Sequence, residues 1–433
     1  MKLFLPYILL FIPYISNIVL PFQRSIYPEL DDNNPFNSLF NNYIGVEICF
    51  GTPLQCLSLN LELNVYPLWV ISSKSPNKTE IQKSFDSSNS QSYYLKSNFI
   101  IIFNYDKYEK GYLSFDSITI DKDMKVDDIY FLLIEEFSGI PVNSGVLGLD
   151  LQNRVYQDTP GSNLISQLKK QDVLENYAFS IIYDDMEGNS LSNYQKGKLI
   201  IGQYPHDIIP SLKGKLPVYE KVLQTGTTLK WGFEFDSLII NNEIIQEKIK
   251  GGFSIEIGVS LGSVLYHEKV YQDFFMSQVN DKKCIKKKFK KVFFSYICDD
   301  SVNLNKIEPL EFTIGHHKFI LGKEDLFINL PNNKLLFNII FPGKDYATVT
   351  FDWVFGAPFF KKYPLIFDMD KKIIGFYEEG TASLSSKGGN GTLWFIIILF
   401  IVIIGGIGFY YYRRRRLNKL RRKNKLNLSL AIQ

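Results

Sequence analysis

The sequence has few histidines, and it lacks the motifs that are typical of cofactor sites. Its 433 residues include only four histidines, which show no metal-ligand spacing and for which surface or turn positions are predicted: His206, His267, His316 and His317. It contains no phosphate-binding loop, no dinucleotide fingerprint and no Ser-His-Asp order of motifs. The sequence therefore predicts no metal and no cofactor.

A net basic charge is also missing outside the C-terminus. The net charge is +3, but the tail from Arg413 onward holds nine Lys and Arg residues and no acid, so the rest of the chain is acidic. The overall charge therefore gives no indication of nucleic-acid binding. It predicts instead a basic tail, residues 413–433, that contacts anionic lipid.

Long apolar runs occur only at the two ends. Residues 1–20 are typical of a signal peptide, although no cleavage site is evident; Pro6 and Pro13 disfavour the alternative of a signal anchor. Residues 393–412 carry no charge and are long enough to span a bilayer. The arginines that follow place the tail in the cytosol, which predicts a single-pass type I membrane protein of the secretory pathway with residues 379–392 as its stalk.

Cysteine is scarce as well, and the four residues form two close pairs. Cys284 and Cys298 are predicted to close a short disulfide loop in an oxidising compartment, whereas Cys49 and Cys56 either pair across a hairpin turn or remain buried thiols. Asn77 and Asn390 begin glycosylation sequons, the second close to the predicted membrane span.

One strand pattern is repeated. Gly51, Thr52 and Pro53 predict a turn, and the chain then alternates apolar and polar residues from Leu57 to Val65 with Glu62 on the polar face. A similar run at 253–261 has Glu256 at its centre. Two such strands about 190 residues apart predict a duplicated lobe.

Short strand patterns separated by turns fill the rest of the body. They predict a mostly antiparallel β protein with a short leader at 21–42, an N-terminal lobe at 43–205 and a C-terminal lobe at 206–378. The 35 Phe and 26 Tyr residues are expected in the core.

These segments resemble the pepsin-like aspartic proteinase family over roughly residues 40–378. The resemblance is carried by motifs at matching spacings: Gly51-Thr52-Pro53 with Gln55, Leu68-Trp69-Val70, Gly145-Val146-Leu147-Gly148-Leu149, Trp353 to Tyr363, Phe367-Asp368 and Gly375-Phe376. It implies a bilobal fold of two pseudo-symmetric, β-barrel-like lobes. Between them it implies a cleft for an extended polypeptide, and many members carry a disulfide where Cys284 and Cys298 stand.

The sequence departs from the family where the chemistry takes place. The family reads Asp-Thr-Gly-Ser in the first lobe, and here Glu62-Leu63-Asn64-Val65 occupies that segment. The second motif, Asp-Thr-Gly-Thr/Ser-Ser, is replaced by residues 256–260, with Glu256 and Gly258 at the Asp and Gly positions. The resemblance further implies Tyr105 as the flap tyrosine, with Tyr108 as the alternative, and Trp69 as its neighbour; Asn64 and Gly258 would support the cleft.

Two carboxylates about 3 Å apart share one proton and work as acid and base, for which pepsin is the standard example. Longer acids without the supporting hydroxyls disturb that geometry. The main hypothesis is therefore a catalytically degenerate, monomeric homologue that holds a peptide. The alternatives are an active acid endopeptidase with a Glu62/Glu256 dyad, and a non-proteolytic receptor that uses the lysine-rich segment 282–291.

Overall fold

Strands dominate the chain, as its short alternating patterns predict. The computed structural model describes residues 18–25, 44–65, 67–76, 83–104, 107–121, 124–138, 143–151, 163–184, 194–226, 228–255, 258–289, 292–330, 333–343 and 350–377. Glu256, Tyr105, Asn77, Asn390 and residues 379–433 lie outside this part of the chain.

The first half contains ten strands within the described residues. They are β1 (Ile18–Ser25), β2 (Ile44–Phe50), β3 (Gln55–Glu62), β4 (Leu68–Ile71), β5 (Tyr94–Asn104), β6 (Lys107–Ile120), β7 (Met124–Phe137), β8 (Gly145–Gly148), β9 (Ala178–Tyr183) and β10 (Tyr194–Ile201). Helix α1 (Leu164–Lys170) begins after Asn163, whose side chain accepts a hydrogen bond from the backbone N–H of Ser166.

The second half holds the remaining strands and most of the short helices. Its strands are β11 (Pro217–Lys221), β12 (Leu223–Thr225), β13 (Thr228–Lys230), β14 (Gly232–Ile240), β15 (Glu243–Phe253), β16 (Ser260–Leu261), β17 (Cys284–Phe289), β18 (Phe293–Asp299), β19 (Leu310–Ile314), β20 (His317–Leu321), β21 (Phe327–Leu330), β22 (Lys334–Phe337), β23 (Ile339–Pro342), β24 (Trp353–Phe355), β25 (Leu365–Asp368) and β26 (Ile373–Tyr377). Its helices are α2 (Pro205–Ile208), α3 (Val264–Val270), α4 (Met276–Asn280), α5 (Lys323–Leu326) and α6 (Ala357–Lys362).

Most strands join two large sheets. One sheet has the order β11-β26-β25-β9-β10-β1-β2-β3-β8-β4-β7-β6-β5, and the other has the order β20-β19-β14-β15-β24-β16-β23-β18-β22-β21, with β17 beside β18. Because β11, β25 and β26 complete the sheet of the first half, the two halves belong to one compact unit.

Strand β1 begins inside the range predicted as a signal peptide and ends inside the predicted leader. It pairs with β10 from Ile18 to Ser25 and with β2 through Phe22, Gln23 and Arg24. Its side chains alternate, so that Ile18, Leu20 and Phe22 are buried. The sheet therefore begins well before Tyr43, where the N-terminal lobe was predicted to start.

Aromatic rings fill much of the core of the second half, as expected for Phe, whereas Tyr94 and Tyr219 are exposed. Phe253 lies between Phe233, with ring centroids 5.2 Å apart, and Phe355, at 5.7 Å. Phe355 also contacts Phe359 at 4.5 Å. Tilted and edge-to-face pairs of this kind contribute about 0.5–1.5 kcal/mol each beyond their buried area.

Two further predictions can be compared with the described residues. The run at 253–261 is not one continuous strand, because β15 ends at Phe253 and β16 begins only at Ser260. No helix in the described residues is long and apolar enough to cross a membrane, and the predicted span at 393–412 lies beyond them.

Candidate active site

Glu62 is the last residue of strand β3. Leu57, Leu59 and Leu61 are buried on one face of this strand, as the alternating pattern predicts. On the other face Ser58 is exposed, but Asn60 is buried and its side-chain oxygen accepts a hydrogen bond from Asn143. The strand is therefore covered on both faces near its end, where Glu62 itself is half-buried.

A crossing of three strands fixes the backbone of Glu62. Strand β8 runs parallel to β3, with Glu62 opposite Gly148, and antiparallel to β4 on its other side. The backbone N–H of Leu149 donates to the carbonyl oxygen of Glu62 at 2.8 Å, and the N–H of Asp150 donates to that of Val65 at 3.0 Å. The loop that follows Glu62 is thus held at both ends.

The crossing requires a glycine at the start of β8. A Cβ atom added to Gly145 would lie 2.2 Å from the carbonyl oxygen of Trp69. Any side chain at this position would therefore separate β8 from β4. Glycine at a close approach of two backbones explains part of the Gly-bounded motif found in the sequence.

The loop itself carries two apolar side chains. Leu63 is fully buried, and Val65 packs partly buried against the cluster that contains Trp69. Asn64, between them, is exposed. The side chains of Leu63 and Val65 have no group that could donate a hydrogen bond to a neighbouring carboxylate.

Trp69 lies on strand β4, a few residues after the loop. It is 8% exposed and contacts the cluster of Ile71, Leu113 and Leu132. Tyr105, the predicted flap residue, lies outside the described residues. Tyr108, the alternative, stands on β6 opposite Phe103, and its backbone N–H donates to the Ser138 hydroxyl at 2.8 Å.

The second half contains the same crossing. Strand β24 runs parallel to β15 and antiparallel to β16, as β8 does between β3 and β4. The backbone N–H of Ser254 donates to the carbonyl oxygen of Phe355 at 3.0 Å, and that of Gly356 donates to the Ser260 hydroxyl at 3.3 Å. Gly258 is buried in the loop, and this repeated topology supports the predicted duplication.

A contact between the halves was missed by the sequence analysis. The indole N–H of Trp231 donates to the carbonyl oxygen of Leu149 at 2.7 Å, and the Lys230 ammonium lies 3.5 Å from the Asp150 carboxylate. Asp150 is only 4% exposed, so this lysine provides its opposite charge in a largely buried place. About 80 residues separate the partners, and no sequence pattern links them.

Both cysteine pairs form disulfides, Cys49–Cys56 across the β2–β3 hairpin and Cys284–Cys298 across β17 and β18. This settles the choice left open for Cys49 and Cys56. In the described residues the only group with metal-ligand proximity is Glu47 with Cys49 and Cys56. Because both sulfurs are in a disulfide, they offer no thiolate to a metal.

The histidine with a clearly shifted pKa, His267, lies away from the loop of Glu62. His267, in α3, is half-buried, and burial together with the nearby Lys286 ammonium lowers its pKa to about 4. Its ring stacks on Tyr296 and its Nε2 lies 2.9 Å from the Tyr296 hydroxyl. The prediction of a surface or turn position is wrong for this histidine, because its ring packs into an aromatic cluster.

Comparison with known proteins gives one family. A model of the family described as eukaryotic aspartyl protease matches residues 42–379. A comparison with curated proteins returned no match.

Proposed function

Because this chain belongs to the eukaryotic aspartyl protease family, we propose that it is a catalytically degenerate member that holds an extended polypeptide without cutting it efficiently. The observation that carries the proposal is the contrast between an intact strand crossing and an altered loop. The crossing of β3, β8 and β4 fixes the backbone at Glu62, while Leu63 and Val65 bring apolar side chains to the loop.

The altered loop acts on geometry rather than on charge. Glutamate keeps the carboxylate of aspartate but is one methylene longer, which moves the carboxyl group by more than 1 Å from the same backbone. Catalytic groups must hold their positions to about 0.5 Å, and an error of 1 Å costs about 100-fold in rate. The side chains of Leu63 and Val65 offer no hydrogen-bond donor that would correct the position of the acid.

Peptide binding depends less on the exact position of the acid in this loop than peptide hydrolysis does. An extended peptide is held largely by main-chain hydrogen bonds and by pockets for alternate side chains. The β5–β6 hairpin and the Trp69 cluster support such binding. We therefore propose a polypeptide as the ligand.

The proposal includes the membrane. The apolar run at 393–412 and the arginines after it support a type I anchor, and the two disulfides suit an oxidising compartment of the secretory pathway. Glycosylation at Asn77 and a monomeric state belong to the same proposal.

The test is a cleavage assay on the full-length protein with fluorogenic peptides at acid pH, with and without pepstatin. We expect no pepstatin-sensitive cleavage by the wild type. Glu62→Gln removes the acid, and Glu47→Gln serves as the matched control because Glu47 is an exposed glutamate on the neighbouring strand β2.

A positive result would support the competing function. Pepstatin-sensitive cleavage that is lost in Glu62→Gln and kept in Glu47→Gln would show an active acid endopeptidase. A bell-shaped pH profile of kcat/KM would then identify a coupled pair of acids, as the Glu62/Glu256 hypothesis requires.

A further inference from the structure

The two strand crossings can be aligned through the registers of their central strands, β8 and β24. In β8, Val146 and Leu147 are followed by Gly148; in β24, Val354 and Phe355 are followed by Gly356. Leu147 pairs with Leu61 of β3, and Phe355 pairs with Phe253 of β15. These registers make Phe253 the counterpart of Leu61.

The next residue along the chain is then Glu62, the last of β3, in the first half and Ser254, directly after β15, in the second. Glu62 lies opposite Gly148, and Ser254 extends the ladder by donating its backbone N–H to Phe355. The flanking burial agrees, because Leu61 and Leu63 are buried around Glu62 as Phe253 and Ile255 are around Ser254. Ser254 itself is 5% exposed.

The strands that follow the two loops, β4 and β16, can be compared in the same way. Val146 pairs with Trp69, seven residues after Glu62, and Val354 pairs with Leu261, seven residues after Ser254. Trp69 and Leu261 also have equivalent parallel partners on their other sides, Leu132 and Ile340. Glu256 stands five residues before Leu261, so the seven-residue spacing of the first half falls on Ser254 and not on Glu256.

We propose that Ser254 occupies the second-lobe position that answers to Glu62, so that the site has one carboxylate and one hydroxyl instead of two carboxylates. A serine hydroxyl donates a hydrogen bond to a carboxylate but has no acidic proton to share with it near neutral pH. The split pKa values of a carboxylate pair therefore do not arise. This inference rests on the proposed function and gives it a specific cause.

The test is a pair of double-mutant cycles on the full-length protein. The first combines Ser254→Asp with Glu62→Gln, and the second combines Glu256→Gln with Glu62→Gln. The urea unfolding equilibrium is measured for each variant at about pH 5 and about pH 8. Ser254→Asn is the neutral control for the larger side chain.

In the first cycle we expect coupling that depends on pH. Two carboxylates in contact raise each other's pKa, so the stability of Ser254→Asp falls as pH rises and both groups ionise. The unfolding equilibrium constant relative to wild type should rise about tenfold for each unit of pKa shift between the two pH values. Glu62→Gln should remove that rise, and Ser254→Asn should not show it.

In the second cycle we expect additivity at both pH values. A pH-dependent coupling between Glu62 and Glu256, or its absence between Glu62 and Asp at position 254, would overturn the inference. If Ser254→Asp does not fold, the second cycle decides alone, because it only removes charges. Proteolysis by the wild type would contradict the proposed function, whereas a coupled Glu62 and Glu256 without proteolysis would contradict only this inference.

Discussion

We expect acid to destabilise this protein through one histidine, His267. Its ring is packed on α3 against Phe294 and Phe341, with centroids at 4.8 Å in both cases. The Lys286 ammonium of β17 lies over the ring of Phe294 at 3.6 Å and opposes a second positive charge nearby. Burial and this lysine lower the histidine pKa from 6.5 to about 4.

The direction of the pH dependence of stability follows from the lowered pKa of His267 in the folded protein. Above about pH 6.5 the ring is neutral in the folded and the unfolded chain, so it has no effect. Between about pH 6.5 and 4 only the unfolded chain binds the proton, and stability falls as the pH falls. The difference between the pKa values of His267 in the unfolded and the folded chain corresponds to about 3 kcal/mol in the free energy of unfolding. Solvent screening of a half-buried ring reduces this contribution to about 1–2 kcal/mol.

The perturbation is His267→Gln, which has no titrating group and can still hydrogen-bond the Tyr296 hydroxyl. The assay is urea unfolding of the two proteins from about pH 7.5 to about pH 4. The variant should lose about 1–2 kcal/mol less than the wild type over this range. His316→Gln, at an exposed position, is the control; parallel curves for wild type and His267→Gln would refute the reasoning.

Two further substitutions test contacts that position the candidate site. Trp231→Phe should cost about 1–3 kcal/mol in urea unfolding, because it leaves the buried carbonyl oxygen of Leu149 without its donor at 2.7 Å; an unchanged midpoint would show that the contact contributes nothing. Phe22→Asp should lower the Tm by about 10 °C by placing a charge in the core under β1, whereas the exposed neighbour change Gln23→Asp should not. Equal effects of the two would contradict the role of β1 in the sheet.

Much of the fold could be predicted because its signals are local. The turn at Gly51 to Pro53 and the alternation of Leu57, Leu59 and Leu61 specify the β2–β3 hairpin without knowledge of the rest. Strand β1 could not be predicted in the same way. Its apolar residues continue a run that also suits a signal peptide, and only pairing with β10, some 170 residues later, makes it a strand.

In the candidate site, too, some residues could be predicted from local sequence and others depend on long-range pairing. Glu62 follows from its spacing to Trp69 within one segment of the chain. Ser254 does not, because a glutamate two residues away and Gly258 match the family pattern by residue type. The distinction depends on which residue continues the ladder to β24, and that is a long-range pairing. Similarly, the Lys230–Asp150 pair joins residues with no shared motif.

The most direct measurement is the distance between the carboxyl oxygens of Glu62 and the nearest carboxyl oxygen of the second half, in a high-resolution crystal structure. The account predicts no carboxyl partner within hydrogen-bond distance and the Ser254 hydroxyl at the facing position. A second carboxyl group about 3 Å from Glu62, sharing a proton with it, would contradict the account.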